Sequence, residues 1–531
     1  MKRHHFLSLL ILGFLSACGI NTGTQNAPQS GQNPLQIPEL LDSRTTPEIE
    51  LVMQNGEHEF FAGVQSETMG FNGDYLGPSI RLYKDTDATI TFTNSIGEPT
   101  TVHGHGLHVP GEMDGGPQSV IQPGESWQIA IPVRQEAGTS WYHPHLMGKT
   151  AHHVHAGLAG IYLIEDENSQ ALDLPKEYGV NDIPLVVQDR SFTDGKMNEY
   201  AETEQQIKNG LREDTLVVNG TVDPYHIVPE GWVRLRLLNG SNARFYRFSF
   251  ADNTTFHKIA TEGGFLNQPV AMTYIDMAPG ERNEIMVDLS KKSNAALIAD
   301  LLRADSEEAD LWDEDTPKAL VVELRVDPTL QASGTLPGTL NDIAYFERAD
   351  ATQIRTISLD MEVRGGTEEN KDMFGINGQA MDMGFINERI KQGEVEIWRI
   401  TGQRMPHPFH LHGASFQILT LNGEPPTEAD RGWKDTVVVT GEVTEIIVRF
   451  DYEATEEFPF MYHCHMLEHE EYGMMGQFTV ECYSVHQNVS LLGYSKPPGS
   501  TGRFFGTLLW IPVELGEGLT PSPMIISPGG N

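Results

Sequence analysis

His463-Cys464-His465-Met466-Leu467-Glu468-His469, continued by Glu470-Glu471-Tyr472-Gly473-Met474-Met475, places one thiol, three imidazoles and the Met474 thioether within twelve residues. Residues Met461 to His465 read as the end of a β-strand. Side chains alternate faces along a strand, so His463 and His465 point one way and Cys464 the other. A cysteine aimed at one metal would then sit between two histidines aimed at another. His469 follows Cys464 by five residues and Met474 by ten, and a bend would return both to the sulfur. One Cys, two His and a weak axial Met make a blue-copper electron-transfer site. One further histidine is needed from elsewhere.

Counting locates it. The chain holds 20 His in 531 residues, for which chance predicts about 0.75 His-x-His pairs. Five occur: His103/His105, His143/His145, His153/His155, His410/His412 and His463/His465. The fourth follows His407 in His407-Pro408-Phe409-His410-Leu411-His412. In an extended run His407 faces away from His410 and His412. His407 therefore goes with Cys464, and the paired histidines go with His463 and His465.

With these motifs the sequence resembles the three-domain multicopper oxidases, among them the bacterial copper efflux oxidases and laccases. The resemblance rests on His103-Gly104-His105-Gly106, Trp141-Tyr142-His143-Pro144-His145, the His407 to Gly413 run and the His463 to Met475 run, in the family order. Gly104 stands where the family usually has Trp. The resemblance implies an all-β fold of three cupredoxin-like Greek-key β-sandwich domains and four copper ions. His407, Cys464, His469 and Met474 would hold the type 1 copper. His103 and His410 would hold the type 2 copper. His105, His143 and His465 would hold one type 3 copper, and His145, His412 and His463 the other. Asp114 and Glu470 match the family's proton-handling acids. The partners implied are dioxygen and a small-molecule reductant, and the chain is expected to be a monomer.

Residues 1–18 read as a lipoprotein signal peptide: Lys2 and Arg3, a short apolar run from Phe6 to Leu15, and Leu15-Ser16-Ala17-Cys18 resembling a lipobox, with Cys18 as the lipidated residue. Residues 19–46, rich in Gly, Asn, Gln, Pro and Thr, read as a flexible tether. The membrane would be met only through the lipid anchor, at the periplasmic face of the cell envelope. Cys482 is left unpaired, so no disulfide framework is expected. Net charge is −38, which argues against nucleic acid and anionic lipid surfaces as partners.

The first sandwich is expected over residues 47–165, with strand signals at Arg81-Leu82-Tyr83 and Thr89-Ile90-Thr91-Phe92. The third His-x-His pair, His153/His155 with His152, is read as loop or surface histidines. A second sandwich, expected over 182–330, shows strand signals such as Trp232 to Leu238. It carries no metal constellation, and Asp288 to Asp313 suggests a helix. Residues 331–353 read as a linker. The third sandwich, expected over 354–482, carries the type 1 site. Asp435 is a candidate carboxylate for orienting a ligand histidine, with an ordinary turn salt bridge equally open. Residues 483–531 hold only four Lys, Arg, Asp or Glu residues and stay unassigned, read as a tail.

The donor is less defined. Met405, two residues before His407, matches a substrate-copper ligand, and Met373, Met381 and Met383 cluster upstream. Core packing explains Met381 and Met383 as well as metal does. The Met-rich insertion of the copper efflux oxidases is missing; Glu362 to Lys371 stands in its place. Gln403-Arg404 precede Met405 where an acidic partner is expected. Oxidation of phenols or amines is therefore placed ahead of oxidation of Cu(I), with manganese and bilirubin also open as donors. A non-catalytic copper-binding lipoprotein is a further alternative. So is a zinc protease, since His465 to His469 matches H-x-x-E-H.

Overall fold

The computed structural model describes residues 30–201, 203–301, 316–363 and 374–482. The signal-peptide, lipobox and tail readings, and Met373, lie outside these residues. Strand is the main regular structure of what is described, with a few short helices, and apart from one two-stranded ribbon the sheets are arranged as three pairs.

In the first pair, a four-stranded sheet containing Glu48–Phe61 and Asp87–Ser95 faces a five-stranded sheet ending in Gly138–His143 and His103–His105. The inward positions of Asp87–Ser95 are Ala88, Ile90, Phe92 and Asn94, all buried. This is the period-two pattern of a half-buried strand. The second pair joins a seven-stranded and a six-stranded sheet. Its core is built from Leu235, Leu237, Phe248, Ile285 and Val322. The third pair has five strands in each sheet, packed around Trp398, Phe409, Tyr462 and Phe478.

Three expectations are corrected. Residues 30–46 are not a flexible tether. Asn33–Pro34 adds a parallel edge strand beside Pro224–Val228, and Leu40–Asp42 adds one beside Ser79–Tyr83. Leu35 is buried between them in sequence and anchors the crossing. Residues 289–301 contain no helix: Asn294–Leu301 is a strand paired with Lys318–Val326, and 302–313 lie outside the described residues. His153 and His155 are neither in a loop nor on the surface. Both are buried on the helix Thr150–Ala156, while His152 beside them is partly exposed.

Candidate metal centre

The two His-bearing strands of the first sandwich are direct neighbours, with His103 paired to His143. In the third sandwich, Phe409 pairs with Cys464 and His410 with His463. Alternation then sends His463 and His465 toward the first sandwich and Cys464 into its own. The eight histidines of the pairs 103/105, 143/145, 410/412 and 463/465 meet between the two sandwiches, all buried.

Across this junction the rings stack. The His103 and His412 centroids lie 3.9 Å apart, and those of His105 and His410 3.6 Å. Most outer ring nitrogens are tied to the protein. Nδ1 of His103 donates to the Asp114 carbonyl at 2.8 Å, and Nδ1 of His410 to the Asp435 carbonyl at 2.8 Å. Nδ1 of His143 and of His463 donate to the carbonyls of Pro144 and Cys464. Carboxylates hold two more: His412 Nδ1 meets Asp114 Oδ2 at 2.8 Å, and His105 Nε2 meets Asp435 Oδ1 at 3.1 Å.

The inner nitrogens face one another. Nε2 of His463 stands 3.1 Å from Nε2 of His145 and 3.2 Å from Nε2 of His412. His143 Nε2 and His105 Nδ1 are 3.4 Å apart. Nε2 of His103, Nε2 of His410 and both nitrogens of His465 have no hydrogen-bond partner among the described residues. Orphaned buried nitrogens are costly. Burial holds His105, His143, His145, His410 and His463 well below the usual imidazole range, with neighbouring imidazoles adding to it. These rings are therefore neutral. Converging neutral imidazoles about 3 Å apart fit shared metal ions bonded at about 2 Å. The donor chemistry suits copper. Nitrogens of His103, His105 and His143, of His103, His410 and His412, and of His145, His412 and His463 lie within 4.8 Å of one another in each group.

On the other face of the Cys464 strand, Sγ lies 3.5 Å from His407 Nδ1 and 3.6 Å from His469 Nδ1. The outer nitrogens of both rings donate to backbone: His407 Nε2 to Gln403 O at 2.9 Å, His469 Nε2 to Lys208 O at 3.1 Å. The short helix Leu467–Glu471 supplies the bend that returns His469. Met474 is buried, and its carbonyl accepts from the Cys464 amide at 3.1 Å. Burial pushes the Cys464 thiol far up, a penalty that a bound cation would remove. His465 and His469 thus face different clusters, and the H-x-x-E-H string does not gather one ion. Its Glu468 instead accepts from Asn242 and the Leu211 amide.

Asp114 and Glu470 are both buried against the histidines. Burial would raise Asp114, but His412 and His103 outweigh it and hold its carboxyl below the ordinary range. Glu470 Oε1 stands 3.3 Å from His145 Nδ1, and Oε2 stands 3.2 Å from His463 Nδ1. Burial, with Glu471 nearby, pushes Glu470 well above the ordinary carboxyl range. Asp435 sits against His105, and its salt bridge is not the ordinary turn pair left open for it but a buried one to Arg282 of the second sandwich. A Cβ on Gly104 would lie 2.7 Å from Leu107 Cδ1, so a larger residue there would displace Leu107. Met383 is exposed and Met381 only partly buried, which removes core packing as their explanation. Met405 is partly buried, two residues from His407.

Sequence reading missed Arg282, whose guanidinium reaches into the centre from the second sandwich, and Trp141, whose ring stacks on His143 at 4.0 Å. The run Trp141-Tyr142-His143 carried a signal for Trp141; nothing local marks Arg282.

Family models described as multicopper oxidase match residues 52–169 and 355–482. The solved structure of a laccase-like multicopper oxidase CueO from the lignin-degrading bacterium Ochrobactrum sp. superposes with a TM-score of 0.77 at 37% identity, covering 84% of this chain and 100% of that one. The chain belongs to the multicopper oxidase family. Another family structure, McoA of the hyperthermophile Aquifex aeolicus, has a TM-score of 0.74 at 30% identity, over 85% of this chain and 99% of that one. Among named relatives, the cell division protein FtsP of Photorhabdus laumondii is 36% identical over 457 residues, 85% of this chain and 93% of the relative. The family's β-sandwich architecture is the fold described above.

Proposed function

We propose that this chain is a copper-dependent oxidase that couples one-electron oxidation of a laccase-like phenolic or amine donor to four-electron reduction of dioxygen to water. One observation carries the reading. Cys464 presents its sulfur to His407 and His469 while its two chain neighbours, His463 and His465, face the eight-histidine cluster.

When bound, copper would supply one-electron storage, at one ion beside Cys464 and three within the cluster. The residues do the rest. His407, Cys464, His469 and Met474 would hold the first ion. His103 and His410 would hold the second, with His105, His143 and His465 and then His145, His412 and His463 around the remaining pair. Cys464 joins both centres through one peptide bond on either side. The Asp114 and Asp435 carboxylates fix the ring orientation of His412 and His105, as outer partners of ligand histidines do. Glu470, kept protonated by burial, holds a proton beside His145 and His463, where reduction of oxygen consumes protons.

The name of the FtsP relatives supports a second reading, in which the fold serves cell division. The complete donor set favours the oxidase. Copper analysis separates them: the oxidase should carry about four ions per chain and consume oxygen when a dimethoxyphenol or Cu(I) is added. A purified, copper-supplied chain that binds none sinks the oxidase reading. Export through the signal peptide, with lipid on Cys18, would place this activity at the cell envelope.

A further inference from the structure

A cavity of about 460 Å³ opens beside the Cys464 centre, lined by Lys208, Arg212, Arg404, Met361 and Met405 among others. It lies one hydrogen bond from each ligand imidazole of that centre. The carbonyl of its lining residue Lys208 accepts from His469 Nε2, and the carbonyl of Gln403, next to Arg404, accepts from His407 Nε2. A molecule seated there is separated from the His469 ring by the Lys208 carbonyl and from the His407 ring by the Gln403 carbonyl.

The charge of this recess runs against that of the chain. Net charge is −38, yet among the described residues the lining contains three cationic side chains and no carboxylate. Arg404 does bind Glu362 at 2.7 Å, but that glutamate is 69% exposed and is not one of the lining residues. Burial and the neighbouring Arg244 bring Arg212 down to about 10, so it stays charged at neutral pH. A cuprous ion would find thioethers here but no anion, and three cations would oppose it. The volume suits a small organic molecule, arginine planes stack on aromatic rings, and methionine sulfur favours them too.

Resting on the oxidase reading above, we propose that this cavity selects an anionic aromatic reductant: a phenol that carries a carboxylate or sulfonate. Lys208 and Arg404 bind the anionic substituent, while the phenol ring lies against Met405. Each phenol loses one electron and its hydroxyl proton to give a phenoxyl radical. Four such steps deliver the four electrons and four protons that convert one dioxygen into two waters.

The test compares syringol with syringate, the same phenol bearing a carboxylate, on the copper-loaded enzyme. The Lys208→Glu/Arg404→Glu double variant, with Lys208→Gln/Arg404→Gln as a milder form, should lower the syringate-to-syringol ratio of kcat/KM about ten-fold. Calorimetric titration with trimethoxybenzoate, which has no phenolic proton to lose, should show binding to the wild type that weakens in the variants and with added salt. An unchanged ratio with unchanged probe binding overturns the proposal, as does wild-type turnover of Cu(I) in preference to syringate. If neither phenol is oxidised while probe binding still depends on Lys208 and Arg404, the oxidase reading fails and the selectivity of the cavity stands.

Discussion

Arg282 of the second sandwich grips Asp435 of the third through both arms of its guanidinium, Nη1 to Oδ1 at 2.7 Å and Nη2 to Oδ2 at 2.5 Å. The same side chain donates from Nε to the carbonyl of Thr139 in the first sandwich at 3.0 Å. Asp435 in turn meets His105 Nε2 and, through its carbonyl, His410 Nδ1. The second sandwich, which contributes no histidine to the cluster among its described residues, thus sets two of the cluster's rings. Burial would raise Asp435, but Arg282 holds its carboxyl below the usual range.

Replacing Arg282 by Met would leave a buried, uncompensated carboxylate. Such losses cost about 3–5 kcal/mol, and loss of an outer partner weakens metal affinity about 10- to 100-fold. Arg282→Met should therefore lower the unfolding midpoint and lose copper from the cluster on dialysis, while the blue absorption of the Cys464 centre persists. Arg282→Lys keeps the charge without the fork and should fall between. Full copper retention in Arg282→Met would show that Asp435 orients His105 unaided.

A pH effect follows from His153. Its ring is buried against Thr100 at 3.1 Å and Glu98 Oε1 at 3.2 Å; His152 approaches the same oxygen at 3.8 Å, and Lys149 binds Glu98 Oε2. Burial brings it from 6.5 down to about 4. Between those values the unfolded chain binds a proton that the folded chain does not, so stability falls as pH drops through the window. His153→Gln should remove about 2 kcal/mol of this acid sensitivity between pH 7 and pH 5. Denaturant unfolding of both proteins at pH 7 and pH 5 checks it, because contributions from the cluster cancel in the difference. Identical pH slopes would show that His153 does not carry the effect.

In the envelope anchoring proposed above, Cys18 carries the lipid. Cys18→Ala should move the protein from the membrane fraction to the soluble fraction after cell disruption. Identical partitioning of the two forms would remove the lipobox reading.

The clustering of the histidines and Cys464 on two faces was legible because strand alternation is local: His463, Cys464 and His465 settle their own faces, and the odd spacing from His407 to His410 settles theirs. The parts that were not legible depend on distant partners. Asn33–Pro34 is a strand only because Pro224–Val228 offers an edge to it. Arg282 and Asp435 lie 153 residues apart, and neither is unusual in its own stretch. The helix holding His153 and His155 has seven residues, too few for a 3.6-residue repeat to stand out.

Cys464 supplies both the sulfur of one centre and the backbone bridge to the other, so its substitution separates them. Charge transfer from thiolate to copper gives a Cys-His₂ site its blue colour, and a hydroxyl does not replace it. Cys464→Ser should therefore be colourless. The eight cluster histidines are untouched, so about three copper ions should remain, with the type 2 signal intact in electron paramagnetic resonance. Oxidation of syringol should drop to background, because electrons lose both their first acceptor and their route. His410→Ala should do the reverse. Its Nε2, which has no hydrogen-bond partner among the described residues, is lost from the cluster, so the blue colour survives while oxygen uptake stops. The two variants together distinguish a bridge from a mere fold contribution, since each keeps the signal that the other loses. Substantial oxygen uptake by Cys464→Ser would mean that electrons reach the cluster by another path, and the roles given to residues 463–475 would fall.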